Sequence, residues 1–360
     1  MNTQPLTSPP EVHFGGPDQP VGILRDMLEG RIDAVPANGS IDWVTYYFRD
    51  RRLAHALLRA HRRGVHVKVA LSRRTRTAQA NADVIAILAG KGGIGDGLRL
   101  ISLPGLPTPV GRGLWSRLHE KLYYFSHPNP IVFIGSFNPS GDVPESRPDI
   151  VREIGEHDCG WNALVGITEP TLVAGLLVHA QRMHSRTPGL FYRFGTESRG
   201  VLEASGASIF FWPRLGTHPV LRRLEEVSPR AHVRIAASHL SARSAIEAML
   251  RLARRGVRLE ILTEPTLRRV TLSAEQRLRD AGVCFTRLAS AEAVPMHLKF
   301  VLVLDDATQW TAFGSFNWTL PSMHLNHEIA VISSDRRLFD IFAERWAALD
   351  RAKTAGLSQR

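Results

Sequence analysis

Lysine is scarce in this chain. Of 45 basic residues only five are lysines (Lys68, Lys91, Lys121, Lys299 and Lys353), so arginine serves almost wherever plain positive charge is wanted. Cysteine is scarcer: Cys159 and Cys284 lie in different halves, which excludes a disulfide framework or a Cys-x-x-Cys spacing and agrees with a reducing compartment. No apolar run approaches the ~20 residues needed to cross a bilayer. The opening Met1-Asn-Thr-Gln-Pro5 has neither the charged nor the apolar segment of a secretory leader. These absences predict a soluble, cytoplasmic protein without a transmembrane segment. At 360 residues and 44% hydrophobic content the chain can bury a full core, and its length points to two domains or lobes. A formal charge of +11 predicts attraction to polyanions, either nucleic acid or an anionic membrane surface, unless the arginines are merely scattered.

Two of the rare lysines stand in a repeated pattern. His119-Glu-Lys121 precedes Gly135-Ser136-Phe137-Asn138, and His297-Leu-Lys299 precedes Gly314-Ser315-Phe316-Asn317. A compact ammonium and a planar guanidinium are not interchangeable. Lysine kept at both places in an arginine-rich chain fits a tight pocket where the cation acts as a point charge on a phosphoryl oxygen.

The repeat extends beyond the motifs. Ile41–Tyr47 reads as a strand, followed by a helix with apolar residues at Leu53, Ala56, Leu57 and Ala60, closed by Arg62-Arg63-Gly64-Val65, and then by a strand from His66 to Leu71. In the second half Val233–His239 leads to a helix through Ala245, Met249 and Leu252, closed by Arg254-Arg255-Gly256-Val257, and to a strand from Arg258 to Leu262. Such β-α-β units predict parallel pairing. Each half then enters its second motif through a hairpin, with turns at Ser126–Pro130 and Asp305–Gln309, and ends in a helix, Thr171–Met183 and Arg337–Ala348. The turn-rich stretch from 185 to 207 separates the halves, giving lobes 1–190 and 200–360.

Alternation along a strand sends the His and Lys of His-x-Lys to one face, and likewise the Ser and Asn of Ser-x-Asn. With turn centres near residues 128 and 307, His119 falls opposite about Phe137 and His297 opposite about Asn317. Two such clusters suit one phosphodiester. A neutral imidazole attacks phosphorus, a protonated one donates to the leaving oxygen, and the roles exchange when water or an alcohol attacks the phosphohistidine. Two lysines and two asparagines hold the equatorial oxygens. No metal or other cofactor is called for, because the protein supplies the cations.

These residues resemble the phospholipase D superfamily, whose signature is His-x-Lys, four residues, Asp, then Gly-Ser-x-Asn. The likeness covers both halves, including the Arg-Gly-Val helix ends and Trp212-Pro213. It implies an α/β protein of two similar lobes, each a mixed sheet flanked by helices, related by a pseudo-twofold axis with one active site at their interface. It further implies His119 and His297 as nucleophile and general acid, with the first lobe's His preferred as nucleophile. Lys121, Lys299, Asn138, Asn317, Ser136 and Ser315 become the phosphate-binding set, and Glu328 orients a histidine. The signature's Asp is Ser126 in the first half and Leu304 in the second, where Asp305 stands one residue late. The strand position matching Glu328 in the first half is Asn162, with Glu153, Glu156 or Asp158 as substitutes.

Other patterns are weaker. Gly90-Lys-Gly92-Gly-Ile-Gly95 follows a helical run, not a strand, and reads as a loop and not a dinucleotide fingerprint. His324 and His327 read as surface or supporting residues, not metal ligands, and Trp318 and Thr319 as packing and turn residues. The apolar, Pro- and Gly-rich stretch Ile101–Trp115 suits either a lipid interface or a lid. Arg73-Arg-Thr-Arg76 and Arg268-Arg269 suit a nucleic-acid groove. The resulting expectation is a metal-independent phosphodiesterase or phosphatidyl transferase, with phospholipid preferred and peripheral attachment to an anionic membrane. The alternatives are a nuclease and a non-catalytic anion-binding module.

Overall fold

The computed structural model describes residues 9–77, 79–106, 114–141, 160–195, 200–267, 269–288, 294–306 and 308–357. Cys159, Arg268, Glu153, Glu156, Asp158, the opening residues 1–8 and residues 107–113 of the apolar stretch lie outside them. The first half contains β1 (Glu11–Gly15), α1 (Ile23–Ala34), β2 (Ser40–Thr45), α2 (Arg51–Arg62), β3 (His66–Ser72), α3 (Ala82–Ala89), β4 (Leu98–Ile101), β5 (Gly105–Leu106), β6 (Leu114–Trp115), β7 (Lys121–Phe125), β8 (Ile131–Gly135), β9 (Asn162–Ile167) and α4 (Pro170–Ser185). The second contains β10 (Val201–Ala204), β11 (Ala207–Phe211), α5 (Pro219–Glu225), β12 (His232–Ala237), α6 (Arg243–Arg254), β13 (Arg258–Thr263), α7 (Leu272–Asp280), β14 (Cys284–Arg287), β15 (Lys299–Asp305), β16 (Thr308–Gly314), α8 (Leu320–His324), β17 (Ile329–Ser333) and α9 (Arg336–Leu357).

The two large sheets share one order over seven strands, to which the second adds β10 at its edge. The first runs β1-β9-β8-β7-β2-β3-β4 and the second β10-β11-β17-β16-β15-β12-β13-β14. β2 pairs parallel with β3, and β12 with β13, as the β-α-β pattern predicts, while the hairpin strands pair antiparallel, so both sheets are mixed. Alternation explains the layering. In β7, Tyr123 and Phe125 face an outer core with α1, α2 and α3, and Leu122 and Tyr124 face an inner one. In β15, Val301 and Val303 face α5, α6 and α7, while Phe300 and Leu302 turn inward. The inner core is shared: Leu172, Leu176 and Met183 of α4 and Leu338, Phe342 and Trp346 of α9 fill the space between the sheets. Phe342 also packs edge-on against Phe14 of β1, and the buried Arg345 donates from Nη2 to the Gly15 carbonyl at 2.9 Å.

Local chemistry sets the element ends. Asp50 caps α2 by accepting from the Leu53 amide. Gly64 and Gly256, at φ 90° and 91°, stop α2 and α6, and the next amides, of Val65 and Val257, donate back to Ala60 and Leu252. The first hairpin register places His119 opposite Phe137 by extension of the Leu122–Ile134 pairing, as anticipated. The second differs by one residue. Phe300 pairs with Phe313, which sets His297 opposite Phe316, because β15 runs through Asp305, β16 begins at Thr308, and Asp306 turns at φ 47°. The Gly90–Gly95 segment follows the end of α3, as a loop should. Among the described residues no helix is long and apolar enough to cross a membrane.

Candidate active site

Both histidines lie just before their strands, in segments that cross between lobes. The His119 amide donates to the His327 carbonyl at 2.8 Å and the His327 amide to the Arg117 carbonyl at 2.8 Å. In the mirror arrangement, His297 donates to the Trp161 carbonyl at 3.0 Å and Trp161 to the Pro295 carbonyl at 3.1 Å. The side chains cross in the same way. His119 Nδ1 meets Glu328 Oε2 at 2.8 Å, and His297 Nδ1 meets Asn162 Oδ1 at 3.0 Å. Each imidazole is therefore held by a residue of the opposite lobe.

Each residue of Gly-Ser-Phe-Asn has a physical reason. A Cβ on Gly135 would lie 2.0 Å from the Ala163 carbonyl oxygen, and one on Gly314 2.2 Å from that of Ile329, so only glycine lets the adjoining strands close. Phe137 and Phe316 are buried in the two outer cores and anchor the turn. Ser136 and Ser315 do not face the cavity. Ser136 Oγ donates to Asn162 Oδ1 and accepts from the Ala163 amide, while Ser315 Oγ donates to Glu328 Oε2 and accepts from the Ile329 amide. This corrects their placement among phosphate-binding groups: the hydroxyls are committed to fixing the side chains that hold the histidines. Asn138 and Asn317 do line the cavity, and the Oδ1 of each has no partner among the described residues.

Hydrogen bonding settles the ring orientation. Glu328 accepts from Ser315 and His119 on Oε2 and from Ser322 and Asn326 on Oε1. Asn162 donates Nδ2 to the Gly160 carbonyl at 3.3 Å, which turns its Oδ1 toward His297. Both partners are acceptors, so both Nδ1 atoms carry the proton and both Nε2 atoms keep a lone pair. His119 and His297 line one cavity of about 290 Å³ together with Tyr46, Tyr47, Arg76, Arg117, His239 and Arg269.

The site gathers more cationic than anionic side chains. Lys121 and Lys299 are buried, and each Nζ donates to the carbonyl of its own motif's histidine at 2.7 Å. Burial pulls Lys121 down to about 7 against the opposing fields of Glu328 and Glu120. Burial and the nearby Lys121 hold Lys299 well below the ordinary lysine range. Burial takes His119 to about 4 although Glu328 resists, and burial with Lys299, Lys121 and Arg269 puts His297 well below its ordinary value. For Glu328 burial works upward, yet His119 and Lys121 bring it below the usual carboxylate range. Such a set is relieved by an anion.

The signature's Asp positions sit at the far end of the motif strands. Ser126 Oγ accepts from the Ser40 amide at 2.8 Å, and Asp305 Oδ2 from the Ser228 amide at 2.9 Å, so both tie a hairpin to the start of its β-α-β unit, at or just before β2 and β12. Leu304 is exposed. His324 is exposed while His327 is buried against Tyr192, and Trp318 is buried against Phe316. Thr319 accepts from the Ser322 amide and caps α8. Of the two arginine clusters, Arg76 and Arg269 reach the cavity. Tyr46, Tyr47, Arg117 and His239 were not singled out. Tyr46-Tyr47 and Ser238-His239 directly follow β2 and β12, and the carboxyl end of a parallel strand is where ligand-facing residues gather.

The family model for the cardiolipin synthase, phospholipase D-like domain matches residues 36–142 and 224–349. A mitochondrial cardiolipin hydrolase from Danio rerio is 35% identical over 109 residues, which is 29% of this chain and 46% of that protein, so the match spans less than half of the relative. A phosphatidylserine synthase from Haemophilus influenzae superposes with a TM-score of 0.66 at 14% identity, covering 96% of this chain and 89% of its own. A polyphosphate kinase from Porphyromonas gingivalis gives 0.60 at 13%, covering 95% and 50%. At those identities the two structures speak for the fold.

Proposed function

The chain belongs to the phospholipase D superfamily, and on that premise we propose that it cleaves a phospholipid phosphodiester through a phosphohistidine, passing the phosphatidyl group to water or an alcohol. Membership supports a phosphodiesterase or phospholipid transferase; the intermediate and the substrate are our reading. The observation that carries it is the crossed holding of two imidazoles, His119 by Glu328 and His297 by Asn162, over one cation-rich cavity.

The unequal partners support a division of roles. When His119 Nε2 attacks phosphorus, its ring becomes a cation, and the Glu328 carboxylate stabilises that charge. His297, held by a neutral amide, is the sharper acid: an entering phosphodiester monoanion offsets the lysine fields and lets Nε2 take a proton, which passes to the leaving alkoxide as the P–O bond breaks. Water or an alcohol then gives its proton to His297 Nε2, bonds to phosphorus, and the P–N bond to His119 breaks with its electrons returning to the ring. Lys121, Lys299, Asn138 and Asn317 hold the phosphoryl oxygens through both steps. No step in this scheme requires a metal.

The lipid reading is supported by the family model's description and by the name of the Danio rerio relative. A nuclease reading draws on a specific observation, that Arg76, Arg117 and Arg269 line the cavity. Acid-stable trapping is unsuited to phosphohistidine, so the test is an alkaline quench with mass spectrometry after mixing with soluble short-chain cardiolipin or single-stranded DNA, both in chelator. The expected result is a phosphatidyl adduct on His119 with the lipid. Cleavage of DNA alone would replace the lipid with nucleic acid, and no adduct with either would end the two-histidine scheme.

A further inference from the structure

A second large cavity lies outside the site. It measures about 790 Å³ and opens between α4, the segment Leu190–Phe194 and the β10–β11 hairpin, with Met183, Leu202 and Phe211 in its wall. Beside it stands Phe191, the most exposed large apolar side chain among the described residues, with two apolar neighbours. Phe191 is 79% exposed, Phe194 52% and Val178 44%, and the two phenylalanine rings lie 6.3 Å apart. Scattered single apolar side chains on a surface need no explanation, whereas an aromatic pair joined to an apolar groove does. Arg182 and Arg186, one helical turn apart at the end of α4, are exposed and line the same groove.

We propose that this face docks on an anionic phospholipid bilayer, with Phe191 and Phe194 entering the interface, Arg182 and Arg186 meeting headgroup phosphates, and the groove receiving an acyl chain. Three observations favour a lipid surface over other occupants. Aromatic side chains at headgroup depth with arginines beside them are the arrangement an interface rewards. The overall charge of +11 has the complementary sign. The face is also joined to the site: Tyr192 lines the groove and packs 4.6 Å from the ring of the buried His327, which in sequence separates Asn326, a residue lining the catalytic cavity, from Glu328. Docking there brings the substrate-bearing surface to a groove linked to the site through these two rings. The inference rests on the phospholipid reading and adds to it the surface by which the protein meets its substrate.

The test is co-sedimentation of the full chain with vesicles of phosphatidylcholine alone or mixed with phosphatidylglycerol, alongside turnover of a monomeric short-chain phospholipid. The wild type is expected on the mixed vesicles and not on the neutral ones. Arg182→Gln with Arg186→Gln should weaken that binding about 30-fold, from two charges near the surface. Phe191→Ser with Phe194→Ser should weaken it about tenfold or more. Neither pair should change turnover of the monomeric substrate, which also shows that the variants fold. Vesicle binding unchanged in both variants, or a loss confined to single-stranded DNA binding, overturns the proposal. A chain that binds mixed vesicles through this face yet turns over no phospholipid leaves the docking surface standing and removes the phospholipid reading.

Discussion

Glu328→Gln removes one negative charge from the buried centre of the site at almost constant shape. The carboxylate accepts four hydrogen bonds, from His119, Ser315, Ser322 and Asn326, and a carboxamide turns a donor toward part of that set. Its larger effect is electrostatic. Loss of one charged hydrogen bond to the ring that becomes cationic costs about 1.5 to 3 kcal/mol, which is roughly a 10- to 150-fold slower formation of the phosphohistidine. The pH profile should move too. In the wild type, kcat/KM rises as His119 loses its proton through about 4, and it falls toward higher pH both because His297 must take up a proton and because Lys121 loses its own through about 7. Glu328 raises both values, so Glu328→Gln moves both limbs to lower pH, and the alkaline limb cuts into activity at neutrality. Single-turnover quench kinetics on a soluble short-chain lipid across pH read both effects. The decisive variant is the exchange, Glu328→Gln with Asn162→Asp, which moves the charge to His297. It should stay slow, because the nucleophile is still left without its carboxylate. Recovery to wild-type rate would refute the assignment, since it would mean that the two imidazoles are interchangeable.

An activated aryl phosphodiester, whose leaving group needs no proton, should separate the histidines: His297→Ala retains much of the first step, measured as a burst of phenolate, and His119→Ala retains none, whereas an alkyl ester loses about 10²-fold or more with either variant. Lys121→Met should abolish turnover and raise stability by roughly 1 to 3 kcal/mol in chemical denaturation. The folded-state value near 7 lies below the unfolded 10.5, so the destabilisation it relieves is full below about pH 7 and fades as pH rises toward 10.5. Asp305→Ala should cost about 1 kcal/mol through the lost Ser228 contacts and leave kcat unchanged; a large fall in kcat would show that the position acts in the site.

Much of this was legible because it is local. The apolar spacing of Leu53, Ala56, Leu57 and Ala60 gives the buried face of α2, the glycines after α2 and α6 end those helices, and each His-x-Lys precedes a hairpin strand. What escaped depends on contacts between distant segments. Asn162 stands at the sequence position matching Glu328 and holds His297, although the acids at 153, 156 and 158 are the chemically closer substitutes for a carboxylate; an amide suffices where the ring needs only a fixed tautomer. The resemblance sets the serines with the phosphate-binding groups, but their partners, Asn162 and Glu328, are visible only in the folded chain. The second hairpin register slipped by one residue because the span Asp305–Gln309 admits more than one turn length. Arg117 reaches the cavity from a crossing segment whose pairing with His327 no local pattern announces.

The crossed holding of the histidines has a consequence for ancestry. A homodimer assembled from a single half must place the same residue beside both rings, so its two imidazoles are condemned to equal chemistry until substrate breaks the tie. Having both halves in one polypeptide lifts that constraint, and glutamate on one side with asparagine on the other is a specialisation closed to any pair of identical halves.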